Sequence, residues 1–164
     1  MAAIYSAGID LLNQAVERFE QEYPQAHVEV QYHQPDAVAQ RVRDDLVDLG
    51  IVSYPDRWKE LAARPLREET MAVVCHTGHA LAGRAEVTPS DLADQPLVLF
   101  DASLPIYRRI TAYLRQHGVT PQVAHTFDNI DTINAFVAQS RAAAILPRRT
   151  VAPDIATSSL VTVC

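Results

Sequence analysis

Strand-like and helix-like hydrophobic patterns alternate along this chain of 164 residues, and the alternation limits its possible folds. After Gly8, apolar residues recur every three or four positions, which predicts an amphipathic helix that ends before Pro24. Residues 27–33 alternate polar and apolar side chains, as a half-buried strand does. Pro35 opens a second helical pattern, and residues 48–53 resemble a third strand. With the short apolar run Ala2–Ser6 as the first strand, the order is β-α-β-α-β, which predicts a parallel sheet covered by helices with right-handed crossovers.

The rest of the chain repeats this alternation. We expect Val38, Val42 and Leu46 to form the inner face of the second helix. Two glycines interrupt the pattern within residues 76–83, which places a lobe boundary there. The remaining predicted elements are strands at 70–75, 97–100, 123–127, 142–146 and 160–163, a short capped helix at 88–92, and amphipathic helices over Ile106–Leu114 and Ile130–Val137.

Composition and charge exclude several classes of protein. Apolar residues make up 48% and charged residues 21% of the chain, as in globular domains. Lys and Arg number 14 against 20 Asp and Glu, a net charge of −6, so this segment lacks the basic surplus that a nucleic-acid binder needs. No apolar run is long enough to span a membrane, and the N-terminus does not resemble a signal peptide. Two cysteines make no disulfide framework. We expect a soluble, cytoplasmic domain.

Metal binding and catalysis find little support in the sequence. Cys75, His76 and His79 form a metal-like cluster, but no second cluster completes a zinc shell, and a surface turn with incidental histidines is favoured. No phosphate-binding glycine loop, Gly-x-Ser-x-Gly elbow or nucleophile–base pair can be placed. We predict no catalytic residue, no metal ligand and no cofactor. Arg108-Arg109 and Arg148-Arg149 are interpreted as solvated or ion-paired side chains.

Three loops suggest ligand binding because each lies between the end of a predicted strand and the start of a helix. They are Ser6–Gly8, Asp101–Ser103 and Asp128–Asn129. Ligands of open α/β sheets collect at the carboxyl ends of strands, where helix N-termini present free N–H groups. Helix capping is the favoured explanation of any single loop, since Ser, Asp and Asn are favoured N-cap residues. The three together favour a cleft that binds a small anion or polar metabolite, and the charge of Asp101 leaves a neutral or cationic ligand open.

Short motifs follow one another in a fixed order along nearly the whole chain. In that order and spacing they resemble the effector-binding domain of LysR-type transcriptional regulators. The motifs are Tyr5-Ser6-x-Gly8, Phe19-x-x-x-Tyr23-Pro24, Val28-x-Val30, Asp48-Leu49-Gly50-Ile51-Val52, Pro65-Leu66-x-x-Glu69, Val73-Val74-Cys75, Gly78-His79-Ala80-Leu81-Ala82, Asp91-Leu92-x-x-x-Pro96-Leu97-Val98, Phe127-Asp128-Asn129-Ile130, Ala144-Ile145-Leu146-Pro147 and Leu160-Val161-x-Val163.

The resemblance implies an α/β, two-lobe, periplasmic-binding-protein-like (type 2) fold, whose lobes are joined by two crossover strands and hold a small-molecule effector between them. Lobe one would comprise residues 1–74 and lobe two residues 75–159, with 160–164 as the returning crossover strand. Carried over by position, the effector-binding residues would be Ser6, Ala7, Gly8, His33, Gln34 and Asp36 from lobe one, and Asp101, Ala102, Ser103, Pro105 and Asn129 from lobe two.

The resemblance also implies partners. The first helix, which carries Phe19, and the second strand and helix would form a side-by-side dimer surface in a homodimer or tetramer. DNA and RNA polymerase would be partners only of a full-length protein, because the helix-turn-helix is absent from this sequence. The strand and helix that complete lobe one are likewise expected to be missing, which would expose an edge or an apolar patch.

Three positions depart from the pattern of the family. Asp45, Ser140 and Ala142 stand where the family often has glycine. If these positions require a positive φ, each substitution costs on the order of 1 kcal/mol.

Two other classes of protein stay open at this point. A solute-binding protein of a transport system would share the cleft but would need an export signal, whereas a regulator would have a helix-turn-helix encoded upstream. An enzyme on an α/β scaffold would show turnover. For the cleft hypothesis, Ser6→Ala and Asn129→Ala are expected to weaken effector binding while leaving the melting temperature nearly unchanged.

Overall fold

The computed structural model describes residues 1–5, 9–55, 58, 60–151 and 156–160, without the side chains of 9–11 and 156–160. The chain forms two compact units, residues 1–65 and 66–164. The lobe limits expected from the resemblance, with a boundary at residue 74, stay a prediction. Among the described residues, no helix is long and apolar enough to cross a membrane.

The first unit has the predicted β-α-β-α-β order. Its elements are β1 (Ala2–Ala3), α1 (Ile9–Glu22), β2 (Gln31–Tyr32), α2 (Pro35–Arg43) and β3 (Gly50–Ile51). The strands form the predicted parallel sheet, and their order in it is β2-β1-β3. The core of this unit centres on Ala2, Ile4 and Val38, which are almost fully buried. Gly50 lets α2 lie close to β3, because a Cβ atom there would be 2.8 Å from Val38 Cγ1.

The strands of the first unit are shorter than predicted. Burial alternates over residues 26–30, since Val28 and Val30 are half-buried while His27 and Glu29 are exposed. The paired strand β2 begins only at Gln31, and before it the Glu29 carbonyl accepts a hydrogen bond from the terminal amine of Met1 at 2.7 Å. The Val28 N–H instead donates to the Glu20 carboxylate on α1, at 2.8 Å.

One expectation about a helix face is wrong. Leu46 does not belong to the inner face of α2, because the helix ends at Arg43 and the Leu46 side chain is 61% exposed in the following turn. In α1, Leu12 is buried, but Phe19 and the nearby Tyr23 are 44% and 51% exposed. The apolar stripe of α1 is therefore buried within the unit only near its start.

The second unit is a six-stranded mixed sheet with helices against it. It comprises β4 (Met71–Cys75), β5 (Glu86–Val87), β6 (Pro96–Phe100), α3 (Pro105–Gln116), β7 (Gln122–Phe127), α4 (Ile130–Ala138), β8 (Ala143–Pro147) and β9 (Ala156–Leu160). Short 3₁₀ helices cover Pro89–Leu92 and Arg148–Thr150. The strand order is β5-β9-β4-β8-β6-β7. The fold is therefore α/β in both units, as predicted.

Strand β4 is an interior strand of this sheet. It pairs antiparallel with β8 on one side and with β9 on the other. All five of its residues are buried, which explains their continuous apolar pattern. The last described strand, β9, begins earlier than the predicted strand at 160–163, of which only Leu160 lies in the described part of the chain. Residues 161–164 lie outside the described part of the chain.

The backbone φ angle of Asp45 differs from those of Ser140 and Ala142, the other two positions where the family often has glycine. Asp45 has a φ of 52°, in the left-handed region. Ser140 and Ala142 are not among the described non-glycine residues with a positive φ. The expected cost of replacing glycine therefore applies to Asp45 and not to Ser140 or Ala142.

We expect Asp45→Gly to raise the free energy of unfolding by up to about 1 kcal/mol, because glycine tolerates a positive φ. Ser140→Gly is the control and should lower stability, because it relieves no strain and removes the hydroxyl that accepts a hydrogen bond from the Ala142 N–H at 3.2 Å. Urea denaturation measures both changes. Equal losses of stability in the two variants would contradict the assignment of strain to Asp45.

Candidate functional site

The carboxyl ends of β6 and β7 lie side by side. The two strands are parallel, with Phe100 opposite Phe127. Just beyond the pair, the Asp101 N–H donates to the Phe127 carbonyl at 2.8 Å. The loop that begins at Asp101 is therefore adjacent to the loop that begins at Asp128, as the sequence analysis predicts for this edge of the sheet.

Each of these loops leads directly into a helix. Helix α3 begins at Pro105, which has no N–H to leave unsatisfied, after Leu104 in the N-cap position. Helix α4 begins at Ile130, after Asn129 as N-cap. Two helix N-termini consequently lie at one edge of the sheet, where their N–H groups and dipoles favour a negatively charged ligand group.

Asp101 places a carboxylate at the same edge. Its Oδ1 accepts hydrogen bonds from the Ser103 N–H at 2.9 Å and from the Ser103 hydroxyl at 2.6 Å. These bonds hold the pKa of the Asp101 carboxyl below its usual value. The group is therefore ionised at neutral pH. Both bonds end on Oδ1, so Oδ2 is the oxygen that can accept a bond from a ligand.

Asn129 acts as a helix cap in the structure. Its Oδ1 accepts a hydrogen bond from the Thr132 N–H at 2.8 Å, and its Nδ2 donates to Asp128 at 2.9 Å. Loss of such a cap costs about 1 kcal/mol. The expectation that Asn129→Ala leaves the melting temperature unchanged is therefore wrong, because this change also removes the cap of α4.

The other predicted residues of the second unit occupy the same loop. Ala102 is exposed between Asp101 and Ser103, and Pro105 is half-buried at the first position of α3. The structure thus places Asp101, Ala102, Ser103 and Pro105 around one helix start. Their contact with a ligand stays a prediction.

In the first unit, the predicted residues that the structure describes lie just after β2. The His33 N–H donates to the Ala3 carbonyl at 2.9 Å, and the Gln34 carbonyl accepts from Val38 at 3.0 Å. Asp36 lies in the first turn of α2. His33 Nε2 is buried, and no residue in the described ranges bonds to it. Ser6, Ala7 and Gly8 lie outside the described residues.

In the turn after β4, the side chains of both histidines accept hydrogen bonds from nearby backbone N–H groups. Nδ1 of His76 accepts from the Gly78 N–H at 3.0 Å, and Nδ1 of His79 accepts from the Leu81 N–H at 3.1 Å. Cys75 is buried, and this burial raises the pKa of its thiol. No group of three or more potential metal ligands occurs in the described part of the chain. These contacts are those of a turn with incidental histidines.

Sequence analysis missed the third loop at this edge. Strand β8 runs parallel to β6, so its carboxyl end lies at the same edge and continues into the 3₁₀ helix Arg148–Thr150. Nε of Arg149 donates to Glu69 at 2.7 Å, which agrees with the expected ion pair. The rule that ligands collect at the carboxyl ends of strands also applies to this loop. The sequence pattern, however, predicts no helix directly after the strand, and the other loops were identified by such a helix.

Asn134 is a further residue that the sequence did not single out. It lies on α4, is 7% exposed, and its Nδ2 donates to the Thr150 carbonyl at 2.7 Å. Its Oδ1 is buried, without a bonding partner in the described ranges. A polar residue on the buried face of a helix is the only sequence signal for this contact. Asn134 ties α4 to the third loop.

The fold and this edge are those of an α/β ligand-binding domain. A family model described as "LysR substrate binding domain" matches residues 1–164. The chain therefore belongs to the LysR family of substrate-binding, or effector-binding, domains of transcriptional regulators. The predicted periplasmic-binding-protein-like class is confirmed by solved structures of such domains.

Three known proteins illustrate the similarity. The regulator SsuR of Burkholderia cenocepacia is 27% identical over 127 residues, which is 77% of this chain and 41% of that protein. The C-terminal domain of a probable LysR family regulator from Rhodococcus sp. RHA1 is 26% identical with a TM-score of 0.84, over 99% of this chain and 82% of that one. The BenM effector-binding domain, solved with its effector benzoate, is 15% identical with a TM-score of 0.76, over 99% and 77% of the two chains, and shows the fold alone.

The chain spans about half the length of the curated relatives it matches. These relatives are transcriptional regulators and not enzymes, as the sequence analysis predicts for this domain. The alternative of a solute-binding protein of a transport system is not favoured by them.

We expect Asn134→Ala to lower the free energy of unfolding by about 1–3 kcal/mol, because it leaves the Thr150 carbonyl without its bond in a buried region. Asn13→Ala, at an exposed position of α1, is the matched control and should stay within about 0.5 kcal/mol. Urea denaturation measures both. Equal values would contradict the role of Asn134 in holding the third loop.

Proposed function

We propose that this domain senses a small-molecule effector at the carboxyl edge of β6 and β7. The observation that carries the proposal is the bond from Asp101 to Phe127, which joins the starts of two helices at one edge. Asp101, Ala102, Ser103, Pro105 and Asn129 are the residues proposed to line the site in the second unit. Their hydroxyl, amide and carboxylate groups suit a polar metabolite.

The known proteins support a small ligand. BenM was solved with benzoate as its effector, and benzoate is a small organic anion. An anion would be favoured at helix N-termini such as those of α3 and α4. In the first unit, Ser6, Ala7, Gly8, His33, Gln34 and Asp36 stay the predicted contributors, and a shared inter-lobe cleft stays a prediction.

The proposed signal passes from the effector to a DNA-binding domain of a longer protein. Effector binding can shift a conformational equilibrium only by its differential affinity for the two states. DNA and RNA polymerase are proposed partners of that longer protein alone, and a cytoplasmic location follows from contact with DNA. No membrane partner is proposed.

We also propose that the domain forms a homodimer or tetramer through α1. Phe19 and Tyr23 leave two adjoining aromatic rings exposed, with their centroids 4.9 Å apart. Exposed aromatic clusters are typical of protein interfaces, where they supply much of the buried apolar area. Phe19 lies on α1, and α1 is part of the predicted side-by-side dimer surface.

To test the effector site, a metabolite screen by thermal shift first identifies a compound that raises the melting temperature. Calorimetry then compares Ser103→Ala and Asn129→Ser, the latter of which keeps an oxygen that can cap α4. We expect each change to weaken binding about tenfold, since the first removes a hydroxyl group and the second replaces an amide by a shorter hydroxyl group. Ser90→Ala, at an exposed position of the 3₁₀ helix Pro89–Leu92, is the control and should leave the affinity unchanged. Unchanged affinity in both site variants would contradict the proposal.

To test the surface on α1, analytical ultracentrifugation compares the wild-type chain with Phe19→Glu. We expect the change to shift the domain towards monomer, because a carboxylate would be buried in an apolar contact. Glu17→Gln, at an exposed position of the same helix, is the control. A Phe19→Glu variant that associates as strongly as the wild-type chain would show that self-association uses another surface.

A further inference from the structure

Two arginines lie in the last turn of α2, and they differ in burial and in their partners. Arg43 is exposed and forms an ion pair with Glu60. Arg41 is half-buried, and in the described part of the chain it forms no ion pair with a carboxylate. The helix dipole favours both arginines alike, so it does not explain why the more buried charge is the one without a carboxylate.

The Arg41 side chain is held by a neutral group. Its Nη2 donates to the Gln31 Oε1 on β2 at 2.7 Å, and the Gln31 Nε2 donates in turn to the Glu29 carboxylate at 2.8 Å. The amide of Gln31 therefore lies between Arg41 and this carboxylate. The backbone of Arg41 is held as well, because its carbonyl accepts a hydrogen bond from the Leu46 N–H at 2.9 Å. Both ends of the residue are thus fixed, while its charge has no direct counter-charge.

The three nitrogens of the Arg41 guanidinium have different surroundings. Nε is buried, and no atom of the described residues accepts a hydrogen bond from it. Nη1 has no bonding partner in the described ranges either, but it does not belong to the buried atoms, so it is accessible to solvent. Nη2 is the nitrogen that bonds Gln31. A ligand can therefore reach this guanidinium from the side of Nη1.

The charge of Arg41 is costly in this position. An arginine does not lose its charge in proteins, and a partly buried charge is ordinarily paired with an opposite one. An oxyanion supplies both a negative charge and acceptor oxygens, whose spacing matches the planar fork of guanidinium donors. Neutral polar ligands would supply acceptors only. The surroundings of Arg41 therefore favour a negatively charged ligand.

We infer that Arg41 is the central residue of an oxyanion site in the first unit, which binds a small solute that carries a carboxylate, sulfate or phosphate group. Arg41 supplies the charge and the donors, and Gln31 fixes the orientation of the guanidinium. The site lies at the last turn of α2, whereas the predicted effector residue Asp36 lies in its first turn. The inference does not rest on the proposed effector site, so the two can fail separately.

The experiment titrates sodium sulfate into the ¹⁵N-labelled domain, with sodium chloride at matched ionic strength as the reference. The NMR signals of the Arg41 Nε–H and of the Gln31 side-chain amide are followed, because these groups belong to the guanidinium and to the amide that holds it. We expect both signals to shift and to saturate with sulfate but not with chloride. Acetate and phosphate should compete with sulfate for the same signals, because they share the oxyanion chemistry.

Variants separate the charge of Arg41 from its geometry. Arg41→Gln should weaken sulfate binding about tenfold, because it removes the charge, and Arg41→Lys should keep part of the affinity, because it retains the charge without the planar fork. Arg43→Gln is the matched control: it removes an arginine from the same turn of α2 and should leave the affinity unchanged. Glu29→Gln should strengthen sulfate binding about threefold, because it removes the like charge beyond Gln31.

Several results would overturn the inference. Equal shifts of the Arg41 signal with sulfate and chloride, or equal sulfate affinities of Arg41→Gln and Arg43→Gln, would mean adventitious ion binding only. A signal that shifts with protein concentration in the absence of added oxyanion would assign Arg41 to a contact between copies of the chain. If Arg41→Gln does not fold, unchanged sulfate affinity in both Arg41→Lys and Glu29→Gln overturns the inference in its place.

Discussion

The parallel alignment of β8, β6 and β7 is the constraint on which the proposed site depends. Parallel strands send all their carboxyl ends to one edge, so the residues that follow Pro147, Phe100 and Phe127 come together there despite their separation along the chain. The bond from Asp101 to the Phe127 carbonyl extends the pairing one step beyond the strands. Loop chemistry at this edge can therefore vary while the buried sheet holds the loops at fixed spacing.

Local stability and the proposed ligand binding involve the same side chains at this edge. Asn129 caps α4, and Asp101 organises its own loop through Ser103, so these groups satisfy local backbone donors in the absence of a ligand. A loop that is already bonded loses less conformational freedom when a ligand binds. Helix capping and the proposed ligand binding, which are alternative explanations of the sequence pattern, are therefore compatible explanations of the same residues.

Much of the fold was predictable because hydrophobic periodicity reports burial within single elements. The interior strand β4 and the helices α3 and α4 follow from their patterns. Strand lengths in the first unit were not predictable, because pairing over residues 27–33 depends on the distant strand β1, with which only Gln31 and Tyr32 pair. Leu46 was misplaced because a helical pattern continues through Asp45, where the backbone instead enters the left-handed region.

The amino-acid sequence by itself determined the α/β class, the membership of the LysR effector-binding family and the strand-to-helix loops that begin at Asp101 and Asp128. These features depend on local order along the chain, and local order can be read from spacing. Only the tertiary structure decided that the Arg148–Thr150 loop lies at the same edge, and that the buried amide of Asn134 holds it. The physical reason is that strand order in a sheet is set by packing between distant segments, which no single segment encodes.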